Sequence, residues 1–401
     1  MRPAADIRDL RRAVREVQAA LGPLAPLGPP IAAISVLGLA LSMALPLFAL
    51  LMDRAGHSGT VIGLNTMAAP LAMVLSSPLM PRIMAFVGLA RLAMLATGTL
   101  AAMFLVIPMV DGLVAWTLLR LVWGTCSTAL FFSSEFWIVA AAPAATRGRV
   151  IAVYAIALSG AFMLGPLVLL VTGNTGTLPF VAASLITLCA FPFLARGAAS
   201  APDPGREERP ELGAALRFFR TDPSLLFAVI LFGAIEFGAL SLVSVWGVRA
   251  GLGADAALVL MALFAAGGMA LQLPLGWAAD RFNPRHVLVL IAGIAVVSPL
   301  AIIAATPSAA AAALPMIVWG GFGAGLYTVA LTALGGRYSG VPLAEANAAV
   351  TLAYGLGALL APGLFGLAMD RIAPPHGLLL VAALAALAYL ALALWRLARA
   401  P

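Results

Sequence analysis

Three ionisable side chains stand inside otherwise apolar stretches: Arg120 and Glu135 in the run 113–141, and Glu236 near the middle of the run 224–249. A charged group facing lipid at mid-membrane costs about 2.5–3.5 kcal/mol, so such residues tend to pair, bind a ligand or carry protons. Glu236 is well placed to load and release a proton or to bind substrate. The bland alternative is a protonated carboxyl hydrogen-bonded to a neighbouring helix. Glu135 stands in FFSSEFWIV, nearer the end of its run, where a structural bond to a helix terminus competes with a transport role. Arg120 and Glu135 are fifteen residues apart, about 22 Å along a helix, and cannot pair although they share a similar face. Arg120 therefore needs another partner: substrate, a backbone carbonyl or a carboxylate.

Asn65, Gln272, Tyr327, Asn347 and Tyr354 are polar groups in apolar helices, each either an interhelical hydrogen bond or a ligand contact. Phe131, Phe132, Trp137, Trp246 and Tyr327 would give a central cavity an apolar, aromatic lining. His57, His286 and His376 fall in loops, where solvation is the simple reading, and none has metal-ligand company. No metal and no cofactor is expected. Cys126 and Cys189 read as small core residues. Glycines cluster in WGGFGAGLY (Trp319–Tyr327) and YGLGALLAPG (Tyr354–Gly363). They lie within apolar runs with no preceding strand, which favours close helix packing over nucleotide binding.

Composition dictates the elements that must hold these groups. The 401 residues are 63% hydrophobic and 10% charged, with mean hydropathy +1.07, where soluble domains run near about 45–50% and about 25%. Runs long enough to cross a bilayer fall at 31–52, 59–81, 90–110, 113–141, 149–172 and 177–195, and again at 224–249, 256–279, 287–305, 309–335, 342–369 and 377–397. The expected fold is an all-α integral membrane protein of twelve transmembrane helices. All 23 basic residues are arginine; without lysine neither a P-loop ATPase nor a Schiff-base enzyme is available. Uphill transport would draw on a gradient or another subunit.

The arginines also orient the chain. An even number of spans puts both termini on one side, and that side collects nineteen arginines against Arg54, Arg249 and Arg371 on the other. The positive-inside rule then makes both termini cytoplasmic. This distribution over short loops explains the sequence pI of 10.4 better than nucleic-acid binding does. In residues 1–30, Ile7, Leu10, Val14, Val17 and Leu21 recur at helical spacing opposite Arg8, Arg11, Arg12 and Arg15. That pattern suits an amphipathic segment on an anionic membrane surface, or a frayed extension. Residues 31–195 and 224–397 form six-helix halves, and the Pro- and charge-rich stretch 196–223 is a cytoplasmic linker.

The halves are related. A shift of 196 residues aligns LVWG (Leu121–Gly124) with IVWG (Ile317–Gly320) and superposes Pro78 on Pro274, Phe86 on Phe282, Leu130 on Leu326, Pro166 on Pro362 and Pro179 on Pro375. Parallel repeats place a substrate site at their interface near the midplane. Arg120, Glu135 and Glu236 have Met316, Leu331 and Ala40 as counterparts, so the scaffold repeats and the charges do not.

One further motif interrupts the apolar pattern. QLPLGWAADRFNPRHVL, with Gly276-x-x-x-Asp280-Arg281 followed by Arg285 and His286, resembles the loop signature of the major facilitator superfamily. The first-half loop, SSPLMPRIMAFVGLARLAML, lacks the aspartate of that signature. The loop reads as a cytoplasmic gate whose Asp280 accepts bonds in one state only. SSEFWI (Ser133–Ile138), Arg147–Pro166, Ile235–Leu252, Trp319–Tyr338 and Leu343–Asp370 are similar to the YcaD-type subgroup of bacterial facilitators, and Arg120-x-x-x-Gly124 resembles a fourth-span motif of drug–proton antiporters without its glutamine. The resemblance covers residues 31–397 and implies a transporter in which spans one, four, seven and ten line the cavity. Glu135 and Glu236 would both face it. It also implies a monomer.

The expected function is secondary transport by alternating access at the bacterial inner membrane: proton-coupled efflux of a small amphiphilic molecule. The alternative is an importer or uniporter of a small organic acid clamped by Arg120. A membrane enzyme or receptor is disfavoured, since no HExxH and no Ser, His and Asp grouping occurs. Expected partners are the substrate, protons and membrane lipid, with no nucleic acid.

Overall fold

The computed structural model describes residues 27–142, 147–202, 212–306, 308–338 and 341–399. Twelve helices are long and apolar enough to cross a membrane. They are α1 Gly28–Arg54, α2 Gly59–Val87, α3 Leu89–Met109, α4 Leu113–Ala141, α5 Arg147–Thr172 and α6 Leu178–Ser200. The second half supplies α7 Pro223–Arg249, α8 Ala254–Arg281, α9 Pro284–Ala305, α10 Ala309–Gly335, α11 Val341–Arg371 and α12 Gly377–Ala398. A 3₁₀ turn at Ser77–Leu79 interrupts α2, and no strand occurs among the described residues. The sequence runs and these helices agree closely, because lipid leaves the backbone no partner except its own helix. Polar caps set several ends: Ser58 accepts from the Val61 N–H at 3.3 Å, Asn283 from Arg285 at 3.0 Å and Ser308 from Ala311 at 3.2 Å. Hydroxyls inside the spans return to carbonyls one turn back, as Thr66 does to Ile62 and Ser241 to Phe237.

The amphipathic segment expected at the N-terminus lies outside the described residues. The linker contains a helix, Leu212–Thr221, tied to the second half. Arg217 pairs with Glu345 at 2.9 Å, and buried Asp222 accepts from Arg337 and from the Tyr338 hydroxyl. That hydrogen bond pushes Tyr338 above the ordinary phenol range.

The 196-residue repeat is visible in the packing. Helices α2 and α4, α1 and α5, and α3 and α6 pair in the first half as α8 and α10, α7 and α11, and α9 and α12 do in the second. A Cβ added to Gly124 of α4 would land on the Ala69 carbonyl of α2, and one added to Gly320 of α10 on the Phe264 carbonyl of α8. Trp123 stacks edge-on against Phe104 at 5.6 Å and Trp319 against Phe264 at 5.2 Å. The glycine clusters therefore serve helix approach, as expected from their spacing.

The halves meet through α1 with α7, α2 with α11 and α5 with α8. The end carrying Gly28 and Ala398 is here called terminal, the opposite end distal. At the distal end the halves are joined by polar bonds. Arg249 pairs with Asp53 of the first half at 2.9 Å and, within the second half, with Asp370 at 3.0 Å; Asn174 donates across the halves to Asp255 at 3.2 Å. Here α2 and α11 touch backbone to backbone: a Cβ on Gly63 would strike the Pro362 carbonyl, and one on Gly366 the Gly59 carbonyl. Toward the terminal end no hydrogen bond or ion pair joins the halves among the described residues. The distal end is closed.

Candidate functional site

Glu236 sits at the middle of α7. The Tyr354 hydroxyl of α11 donates to its Oε2 at 2.9 Å. Phe232, one turn earlier on α7, packs between the rings of Tyr327 at 5.2 Å and Tyr354 at 5.6 Å. Glu236, Tyr327 and Tyr354 are all half-buried, so this face meets open space and is not sealed in core. From the other half, Glu135 is exposed on α4. Ser134, next to Glu135, shares a 2.9 Å hydrogen bond with the Tyr154 hydroxyl. Each half thus contributes one intramembrane carboxyl, and Glu236 stands among aromatic faces. Such a site can carry protons, and it can hold a cation by charge and by ring faces.

Arg120 lies apart from this pair. It is 1% exposed, its guanidinium lies 4.7 Å from the Phe48 ring centre, and its Nε and Nη2 have no hydrogen-bond partner among the described residues. The indole N–H of Trp123, whose ring packs 5.8 Å from Phe48, is also unpaired among them. Neither Glu135 nor Glu236 forms an ion pair with Arg120.

Several expected cavity residues are placed elsewhere. Trp137 is 1% and Trp246 0% exposed, so neither lines an open cavity. Trp137 packs against Gly197, while the Trp246 indole donates to His376 Nδ1 at 3.2 Å near the distal end. Bulky rings at helix–helix contacts fill core as readily as they line a site. Asn65 is buried and donates to Thr117 at 2.8 Å, an interhelical bond. Phe132 is half-buried against the hydrophobic core. Gln272 is half-buried and Asn347 exposed, neither with a side-chain bond among the described residues. His57 and His376 are not simply solvated: His57 stacks edge-on against Trp116 at 5.8 Å, and His376 takes the Trp246 bond. Cys189 is exposed on the helix exterior, not in the core. In the terminal-end loop Asp280 and Arg285 are exposed, Arg281 lies 5.8 Å from the Trp277 ring, and Gly276 approaches Thr328.

Sequence reasoning missed Phe232 and Tyr154, which carry no charge and no motif. It also missed the distal cluster of Asp53, Thr60, Arg249 and Asp370, whose charges sit at helix ends where loop solvation is the default.

The model of the Major Facilitator Superfamily matches residues 31–362 and 253–401. An uncharacterised MFS-type transporter of Bacillus subtilis (strain 168), YfkF, is 25% identical over 264 residues, 64% of this chain and 67% of that protein. Among solved structures, the nucleoside transporter NupG superposes with a TM-score of 0.75 at 13% identity, covering 92% of this chain and 98% of its own. A bacterial homolog of the human lysosomal transporter Spinster, inward-facing and unoccupied, gives 0.70 at 15% identity, covering 92% and 94%.

Proposed function

The chain belongs to the major facilitator superfamily, and from that premise we propose a proton-coupled secondary transporter that exports a small amphiphilic molecule by alternating access. Within the superfamily we assign it to the YcaD-type subgroup. The observation that carries the reading is Glu236 at the middle of α7, held by the Tyr354 hydroxyl among the rings of Phe232, Tyr327 and Tyr354, with a second intramembrane carboxyl, Glu135, on α4 of the other half. A proton and a positively charged amphiphile compete for the same carboxylates. By linkage, each then weakens binding of the other. Competition at one site makes the exchange an antiport, so an inward proton gradient drives substrate outward. The rings of Phe232, Tyr327 and Tyr354 offer faces to the apolar and cationic parts of such a molecule. The arginine asymmetry puts both termini in the cytoplasm of a bacterial cell, which makes the closed distal end the outer one. The working unit is a monomer.

A second reading rests on Arg120, whose Nε and Nη2, without a partner among the described residues, suit an anion. In that case the chain imports or equilibrates a small organic acid. Proteoliposomes with wild type, Glu236→Gln and Glu135→Gln separate the two. Lipophilic cations should evoke proton flux in wild type that is lost in Glu236→Gln. Carboxylate uptake that needs Arg120 and survives collapse of the proton gradient would replace the first reading by the second.

A further inference from the structure

Arg249, the last residue of α7, makes the one ion pair that crosses between the halves among the described residues, to Asp53 of α1; its other ion pair, to Asp370 of α11, lies within the second half. Its Nε donates to Asp53 at 3.0 Å, its Nη1 to Asp370 at 3.0 Å and its Nη2 to the His57 carbonyl at 3.2 Å. Asp370, in the last turn of α11, accepts at the same time from three groups of the other half. These are the Gly59 N–H at 2.9 Å, the Thr60 N–H at 2.6 Å and the Thr60 hydroxyl at 2.6 Å. A carboxylate from the second half therefore caps the first turn of α2 in the first half, where unpaired N–H groups and the helix dipole favour negative charge. The bare backbones of Gly59, Gly63 and Gly366 let α2 and α11 approach closely enough for it to reach.

The residues around Asp370 read Gly366-Leu-Ala-Met-Asp370-Arg371. This is the pattern Gly276-Trp-Ala-Ala-Asp280-Arg281 found at the end of α8. Helices α8 and α11 are the middle members of successive helix triplets in one half, and triplets of this kind are related by inverted topology. The two copies accordingly lie at opposite ends of the molecule. At the closed distal end Asp370 is engaged by four donors from three residues. At the terminal end Asp280 is exposed, with no partner among the described residues.

We propose that Asp370, with Arg249 and the first turn of α2, is the gate that holds the distal end shut, and that these are positioning residues of the transport cycle that bind no substrate. The gate works only in the closed state, because separating α2 from α11 removes every one of its cross-half bonds together. The remaining Asp53–Arg249 pair also crosses between the halves, so it is released in the same movement. This inference does not depend on the substrate or coupling ion of the central site.

The test is spin-label distance measurement on purified full-length protein lacking native Cys126 and Cys189. Labels go at Ala55→Cys and Ile372→Cys, exposed distal positions on opposite halves. Wild type should give one short distance. Asp370→Asn should raise the long-distance, distal-open population at least about tenfold, and Thr60→Val, which keeps the carboxylate and the ion pair, by about two- to fivefold. The swap Asp370→Arg with Arg249→Asp restores opposite charges, but an arginine cannot accept from N–H groups; it should stay open. Unchanged distances in Asp370→Asn overturn the gate. Should that variant not fold, unchanged distances in Thr60→Val overturn it equally, and closure in the swap overturns the capping role.

Discussion

At the scale of single residues, the chain separates its intramembrane charges by what surrounds them. Glu236 has a phenol donor and an open face, while Arg120 has a ring and no acceptor among the described residues. A hydrogen bond to a charged group contributes about 1.5–3 kcal/mol. Tyr354→Phe, which preserves volume, should therefore raise the apparent KM for a transported cation by roughly ten- to a hundredfold, with the protein still monodisperse in detergent. An unchanged KM would make Tyr354 a packing residue. Arg120→Met, which installs the residue the repeat already uses at Met316, tests the unpaired cation. Exchanging buried charge for apolar volume is often neutral or stabilising by about 1–4 kcal/mol. The thermal midpoint in detergent should hold or rise, and a fall of several degrees would reveal a partner that stabilises the guanidinium.

At the scale of elements, the twelve helices are held by backbone approach as much as by side chains. Gly320 faces the Phe264 carbonyl with no room for a methyl group, whereas Gly98 on α3 has open space where a Cβ would go. Gly320→Ala should destabilise by about 1–3 kcal/mol through forced separation of α8 and α10. Gly98→Ala should be neutral or slightly stabilising, since it removes helix-interior flexibility worth about 1 kcal/mol. Thermal unfolding of the two single variants side by side checks the contrast. Equal midpoints would mean that α8 and α10 adjust more readily than their close contact suggests. The linker helix is an element of the second half: Asp222, Arg337, Tyr338, Arg217 and Glu345 fix it there, so it travels with that half.

At the scale of the whole molecule, closure at one end and the lack of cross-half bonds at the other describe one state of a two-state machine. The distal face carries a cleft of ≈ 690 Å³ that includes Thr60, Arg249 and Asp370, so the gate is reachable from outside that face. Tethering Ala55→Cys to Ile372→Cys with a short reducible cross-linker should abolish net transport while leaving substrate binding from the terminal end intact. Reductant should restore flux. Continued transport in the tethered protein would show that the distal ends need not part.

The fold was legible from the chain alone because lipid imposes one rule on the backbone, and a run of apolar residues satisfies it only as a helix. The shift of 196 residues disclosed the repeat for a similar reason. Gly124 and Gly320 recur because equivalent helix crossings exclude a side chain at both places. Glu236 and Glu135 stood out because charge inside an apolar run is conspicuous. What the chain could not reveal is which polar groups meet. Tyr354 reaches Glu236 across 118 positions of sequence. Trp137 and Trp246 face core although their types would equally suit a cavity. Arg249 looked like an ordinary loop charge until folding brought Asp53 and Asp370 to it from 196 and 121 residues away. Helix formation is decided locally by solvent and periodicity. Pairing across the halves is decided by the rotation and approach of whole helices, and only the tertiary structure contains those.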